Sequence, residues 1–219
     1  MCDRLSNKAY STFLSFLLFA FLLTLVSCNE DEENAPPVVQ FKGIAAAFND
    51  QVEALEYSLT IFVDQPGAGG TAETWVPVGF MDVDAGHAFV KLERLNADST
   101  QTTIIIGYYP DKIPNDPNQL ETTGELRDDT KRLFEVSKKY VLTKENFDKA
   151  LAYIESVERT KKKYHLNNYN CADFAIQVGL AAGENVPDTY GTWDINFGMG
   201  KRLTGGGSNP GNLGQDLRQ

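Results

Sequence analysis

Apolar and polar residues alternate most regularly over positions 87–95, a pattern that predicts a β-strand with one buried face. Turn-forming residues follow at 96–100, and a β-branched run returns over 102–109, so these segments are expected to form an antiparallel hairpin. Similar runs at 57–63 and 133–142 predict two further strands. The pattern therefore favours an antiparallel sheet.

A Pro-rich stretch at 110–124 predicts a loop, and helical spacing begins near 143, after the strand predicted at 133–142. Thr143 can cap a helix whose apolar residues share one face. A second helix is predicted to begin near Cys171, where apolar residues recur at helical spacing, and Asn168 or Asn170 can cap it. These elements predict a single α+β domain, in which an antiparallel sheet packs against the cysteine-bearing helix.

The N-terminal segment 1–27 is typical of a secretory signal peptide. A basic start precedes an apolar run at 13–26, and a small residue precedes Cys28. The apolar run is short for a transmembrane helix, and an uncleaved membrane anchor is the alternative. The tetrapeptide Leu25-Val26-Ser27-Cys28 resembles the lipobox of bacterial lipoproteins, which implies that Cys28 is lipidated.

An acidic segment follows the lipidation site. Four of the six residues at 29–34 are Asp or Glu, and such a segment stays solvated. It resembles the signal that sends some Bacteroidota lipoproteins to the outer face of the outer membrane, which implies a surface-exposed, lipid-anchored envelope protein. The alternative is a solvated linker that carries no targeting signal. The predicted organisation is a signal peptide at 1–27, a tether at 28–40, and one domain at 41–219 that ends in a Gly-rich, irregular C-terminal arm at 198–219.

Cys171 is the candidate nucleophile. Of the three cysteines, Cys2 leaves with the signal peptide and Cys28 is lipidated, so Cys171 has no partner in a compartment where thiols are usually paired. A helix N-terminus stabilises a thiolate and presents free N–H groups to an oxyanion, which suits acyl transfer. A buried, inert cysteine is the alternative.

A cysteine nucleophile needs a base, and the chain holds two histidines. His87 opens the predicted strand directly after Gly86, whereas His165 lies in a loop shortly before Cys171. His87 is the better candidate, because a rigid strand positions a base more accurately than a loop does. The residues therefore predict a dyad of Cys171 and His87, and His165 is interpreted as a surface residue.

The composition of the chain limits the kinds of partner and cofactor that are expected. The chain carries 20 basic and 30 acidic residues, and loss of Arg4, Lys8 and Asp3 with the signal peptide takes the formal net charge from −10 to −11. An acidic surface repels phosphate backbones, so no nucleic acid is expected as a partner. Two histidines and one usable cysteine are too few for a zinc site at recognisable spacing, so no metal and no cofactor is expected.

The order of these motifs resembles that of a known superfamily. Gly86-His87 opens a strand, and Asn170-Cys171-x-x-Phe174 later opens a helix, as in the circularly permuted branch of the NlpC/P60 papain-like superfamily. That branch, in which the histidine precedes the cysteine, includes the lecithin:retinol acyltransferase-like proteins. The resemblance covers roughly residues 57–183. It implies a permuted papain-like fold, with Cys171 as nucleophile and His87 as base.

The family also has a third polar residue that orients the histidine. No second histidine follows His87 at a suitable place, which departs from the acyltransferase-like pattern. If the hairpin turns around residues 98–99, Tyr108 lies diagonally across from His87 on the same face, and Glu93 shares that face further along. Asn170 is a further candidate for an orienting or oxyanion role, although it can simply cap the helix.

These inferences combine into a lipid-anchored thiol hydrolase of the cell envelope, which acts as an amidase or peptidase (a thiol protease) or as an acyltransferase. Family and compartment make peptidoglycan stem peptides the first substrate candidate, and the lipid on Cys28 makes the membrane a partner. The first alternative is a non-catalytic envelope lipoprotein that keeps the fold for binding. A third function is lipid remodelling.

Overall fold

A six-stranded antiparallel sheet is the centre of the fold, in a computed structural model that describes residues 44–50, 52–78, 83–112, 120–198 and 201–219. The predicted signal peptide, the lipidation site at Cys28 and the acidic tether lie outside the described residues. The strands are β1 (Ala54–Asp64), β2 (Val76–Pro77), β3 (Val83–Asp84), β4 (His87–Asn96), β5 (Gln101–Pro110), β6 (Glu121–Asp128), β7 (Val136–Leu142), β8 (Lys163–His165), β9 (Gly191–Gly198) and β10 (Lys201–Gly207). The helices are α1 (Ile44–Phe48), α2 (Lys144–Thr160), α3 (Cys171–Ala181) and α4 (Pro210–Leu217).

The sheet has the strand order β7-β1-β4-β5-β6-β8, and each neighbouring pair is antiparallel. Ala88, Val90 and Leu92 alternate along β4 and are fully buried, in one core with Phe147 of α2 and Phe174 of α3. Helix α3 packs on β4 and β5, and α2 packs on α3. The predicted α+β class with an antiparallel sheet is therefore confirmed, because the alternating strands supply one apolar face for the helices.

The predicted hairpin is confirmed, since β4 and β5 pair across a turn that follows Asn96. The predicted loop at 110–124 is wrong at both ends, because Pro110 still belongs to β5 and residues 121–124 already belong to β6. This strand is mostly polar: Gly124 and Leu126 are its buried residues. Its sequence therefore lacks the apolar alternation by which a strand is recognised.

The C-terminal arm is regular, and the prediction of an irregular arm is wrong. Strands β9 and β10 form a hairpin, and α4 buries Leu213 and Leu217 in the main core. Gly205 lies opposite Trp193, and a Cβ on Gly205 would come within 2.7 Å of the indole nitrogen. Glycine thus leaves room for the indole, although glycine in the sequence argues against a strand.

All described residues belong to one compact unit. Within them, no helix is both long enough and apolar enough to span a bilayer.

Candidate active site

Cys171 is the first residue of α3, and its side chain is buried, with 7% of the residue exposed. Asn170 caps the helix: its Oδ1 accepts from the backbone N–H groups of Ala172 (2.9 Å) and Asp173 (3.3 Å). The Asp173 carboxylate in turn accepts from the Asn170 N–H at 2.9 Å, which completes a capping box. The local sequence therefore holds the thiol at the positive end of the helix dipole.

The Asn170 side chain is fully used in this structural role. Its Nδ2 donates to the backbone carbonyls of Leu166 (3.0 Å) and Ser208 (2.8 Å), while Oδ1 caps the helix. These contacts join the preceding loop, the helix and the C-terminal arm. Asn170 thus anchors the segment that carries the thiol, and its amide does not face the imidazole of His87 as an orienting group.

His87 is the first residue of β4 and is 4% exposed. Gly86 precedes it with φ +68°, a conformation that L side chains rarely adopt. A Cβ on Gly86 would also lie 2.4 Å from the carbonyl oxygen of Asp64. Glycine is therefore required at this turn, which brings His87 onto the end of the strand.

Asp129 holds the imidazole. Nε2 of His87 lies 3.0 Å from Oδ2 of Asp129, a residue that directly follows β6 and is 2% exposed. The other carboxylate oxygen accepts from the hydroxyl of Tyr109 at 2.6 Å. The Tyr109 ring also packs on the imidazole, with 4.3 Å between ring centroids. Asp129 and Tyr109 are the site residues that the sequence analysis missed.

Gly107 of β5 makes room for this pair. A Cβ on Gly107 would come within 2.0 Å of Oδ2 of Asp129 and within 2.4 Å of Nε2 of His87. Such distances lie far inside van der Waals contact. The strand therefore passes directly beneath the hydrogen bond between imidazole and carboxylate, and only glycine fits there.

The thiol of Cys171 also affects the charge of the imidazole. Burial lowers the pKa of His87, but hydrogen bonds with Asp129 and with Cys171 outweigh it and raise the pKa to about 9. Because Nε2 is engaged by Asp129, the nitrogen available to the thiol is Nδ1. His87 therefore carries a proton at neutral pH, and an imidazolium beside a thiol favours the thiolate.

The register of the hairpin places Tyr108 away from His87, which corrects the prediction. Gly107 pairs with Phe89, so Tyr109 shares the face of His87 and Tyr108 lies on the opposite face. A shift of one residue moves every side chain to the other side of a sheet. The Tyr108 hydroxyl donates instead to the Lys162 carbonyl at 2.5 Å.

Glu93 and His165 take no part in this cluster. Glu93 lies six residues along β4 from His87, roughly 20 Å by the rise of a strand. Its carboxylate accepts from Lys91 at 2.9 Å. His165 is half-buried, and its Nδ1 accepts from the backbone N–H of Asn167 at 3.1 Å. Neither residue contacts the thiol of Cys171.

A cleft of about 80 Å³ opens beside Cys171. Its walls come from the segments around Trp75, Gly86 and Leu166, from Trp193 of β9, and from the start of α4. The C-terminal arm thus contributes directly to the site. No group of three or more His, Cys, Asp or Glu side chains arranged to hold a metal ion occurs in the described ranges.

Neither a protein-family model, nor a curated protein, nor a solved structure was found to match the chain. The resemblance to permuted papain-like enzymes therefore rests on the sequence motifs around His87 and Cys171 alone and stays a prediction.

Proposed function

We propose that the protein is a cysteine hydrolase or acyltransferase of the permuted papain-like kind, in which Cys171 is the nucleophile, His87 exchanges the proton, and Asp129 orients the histidine. The observation that carries this proposal is the buried His87 ring, which contacts the Asp129 carboxylate at 3.0 Å and whose pKa is raised by that carboxylate and by the thiol at the start of α3. In such a set the thiol serves as nucleophile, the imidazole serves as base, and the carboxylate orients the imidazole.

The proposed reaction begins with attack of the Cys171 thiolate on the carbonyl carbon of an amide or ester. The protonated His87 then gives its proton, through Nδ1, to the departing amine or alcohol, which leaves an acyl thioester. Neutral His87 next removes a proton from water, or from an acceptor hydroxyl or amine in a transferase. Attack on the thioester releases the acyl group and restores the thiolate and the imidazolium.

The backbone N–H of Cys171 is the proposed donor to the oxyanion. The N–H groups of Ala172 and Asp173 are occupied by the Asn170 side chain. For the Cys171 N–H, no acceptor is found in the part of the chain that the structure describes. A free donor at a helix N-terminus, beside the attacking sulfur, suits the charge that develops on the carbonyl oxygen.

The location and substrate of this enzyme are proposed from the sequence. The lipobox-like segment and the acidic tether support a lipid anchor on Cys28, in the outer membrane and exposed at the cell surface. Peptidoglycan stem peptides are the first substrate class to test, on the basis of family resemblance and compartment.

Turnover of purified sacculi, small amides and small esters by the purified protein tests the proposal. Cys171→Ser is expected to lower kcat by about 1,000-fold or more, because the nucleophile is lost. Cys28→Ser is the matched control, since it removes the lipidation thiol and leaves the proposed site intact.

Equal turnover by the parent protein and by Cys171→Ser would contradict the mechanism. The alternative of a non-catalytic lipoprotein would be supported by two results together. No substrate would be turned over, and iodoacetamide below pH 7 would alkylate Cys171 no faster than it alkylates free cysteine.

A further inference from the structure

The cleft beside Cys171 has an uncharged wall. Its volume is about 80 Å³, and none of the described residues that line it is Asp, Glu, Lys or Arg. Trp193 and Ile195 of β9 belong to a small hydrophobic cluster, against which Trp75 and Leu166 pack. All four side chains line the cleft. A group that enters therefore meets mostly apolar surface next to the thiol.

Four polar side chains of the wall are already engaged, whereas the indole N–H of Trp193 is buried and has no acceptor among the described residues. The Thr74 hydroxyl donates to a backbone carbonyl at 3.1 Å, and the Ser208 hydroxyl donates to Asp173 at 2.6 Å. The side chains of Asn170 and Asn209 cap α3 and α4. The wall thus offers a charged group the neutral indole donor but no described side chain of opposite charge, and an unpaired charge is costly to bury.

From this wall we infer that the acyl group accepted by Cys171 is short, apolar and uncharged, with room for about three to four carbon atoms, given that a cavity of about 150 Å³ holds benzene. The inference rests on the proposed function and narrows its substrate class. It disfavours acyl groups that carry a free carboxylate, as peptidoglycan stem peptides do. Long acyl chains are disfavoured as well, because they exceed the volume of the cleft.

Three 4-nitrophenyl esters test this inference: the butyrate, the succinate monoester and the dodecanoate. With each ester, the Cys171 thiolate forms a thioester and releases 4-nitrophenolate, and water then hydrolyses the thioester to the carboxylic acid. The kcat/KM for the butyrate is expected to exceed that for the equally long but charged succinate by about 100-fold or more. It should exceed that for the dodecanoate by about 10-fold or more.

Enlarging the cleft should relax the limit on chain length. Ile195→Ala is expected to raise the ratio of dodecanoate to butyrate kcat/KM by about 10-fold, and Trp75→Ala serves as a second variant if the first fails to fold. Leu180→Ala is the matched control, because Leu180 lies on α3 and is 45% exposed. The control should leave the ratio unchanged.

The outcomes separate the inference from the proposed function. If Cys171→Ser hydrolysed each of the three esters as fast as the parent protein does, the proposed function would be overturned, and the inference with it. Hydrolysis that depends on Cys171 but favours the succinate or the dodecanoate would overturn the inference alone. An unchanged chain-length ratio in both folded cleft variants would also overturn it.

Discussion

Asp129 connects two residues of the site, because each of its carboxylate oxygens has its own partner. One oxygen holds His87 at 3.0 Å, and the other accepts from Tyr109 at 2.6 Å. Asp129 is almost fully buried, and a hydrogen bond in such surroundings is electrostatically stronger than one in water. The two contacts therefore fix the orientation of the carboxylate, and the carboxylate fixes the orientation of the imidazole.

His87 is expected to stay protonated well above neutral pH. Burial lowers its pKa, but hydrogen bonds with Asp129 and Cys171 raise it overall from 6.5 to about 9. The folded chain therefore binds this proton more tightly than the unfolded chain does. The resulting stabilisation is complete below about pH 6.5 and is lost as the pH rises through about 9. Titration of the histidine Cε1–H signals by NMR measures the pKa, and His165→Gln distinguishes the two histidines.

Asp129→Asn is the informative variant in this titration. It removes the negative charge that favours the imidazolium, so the pKa of His87 should fall and burial should dominate. Thr103→Ala, on the exposed part of β5, should leave the titration unchanged. A parent protein whose His87 signal titrates below its ordinary value of 6.5 would contradict the expected protonation.

At the scale of elements, the site depends on how α3 begins. The capping box satisfies the first backbone N–H groups, and the Asn170 amide also joins the helix to Leu166 and Ser208. The helix start is therefore fixed on both sides, by the loop before it and by the C-terminal arm. Helix α2 starts more simply, since Thr143 is exposed and accepts from the Asn146 N–H at 3.2 Å.

The two caps allow a matched comparison. Thr143→Ala should lower the free energy of unfolding by about 1 kcal/mol through loss of the cap. Asn170→Ala should lower it by about 2–4 kcal/mol, because it also leaves the Leu166 and Ser208 carbonyls without their donor. Urea denaturation measures both values, and ester turnover should fall only in Asn170→Ala. Equal losses of stability would show that the amide acts only as a helix cap.

At the scale of the whole molecule, four segments far apart in the chain build the site. His87 starts β4, Tyr109 lies near the end of β5, Asp129 follows β6, and Cys171 starts α3. The C-terminal arm adds a wall of the cleft, and its helix α4 reaches the main core through Leu213. The arm is therefore expected to be part of the cooperative fold.

Truncation of a leucine in the arm tests this expectation. Leu213 is fully buried, so Leu213→Ala should lower the free energy of unfolding by about 2–5 kcal/mol. Leu133 is 82% exposed, and Leu133→Ala should change the free energy of unfolding by less than about 0.5 kcal/mol. A single urea transition for both variants, monitored by tryptophan fluorescence and by circular dichroism, would agree with one cooperative unit. If Leu213→Ala lowered the free energy of unfolding as little as Leu133→Ala does, the arm would not stabilise the core.

Sequence by itself determined the features that depend on local pattern. Period-two alternation predicted the hairpin of β4 and β5, and helical spacing predicted α2 and the helix that starts at Cys171. Gly86 before His87, and Asn170 before Cys171, indicated where these elements begin. Such signals are legible because dihedral preferences, capping and apolar periodicity act between neighbours in the chain.

Only the tertiary structure decided which residues meet. His87 and Asp129 are 42 positions apart, and Asp129 follows a strand too polar to be recognised from its sequence. Whether Tyr108 or Tyr109 lies on the same face as His87 depends on how β4 and β5 are paired, and a shift of one residue in that pairing exchanges the two tyrosines. The apolar cleft likewise required the C-terminal hairpin to fold back beside Cys171. Contacts of this kind depend on strand register and on packing between distant segments, and no local pattern of residues specifies either.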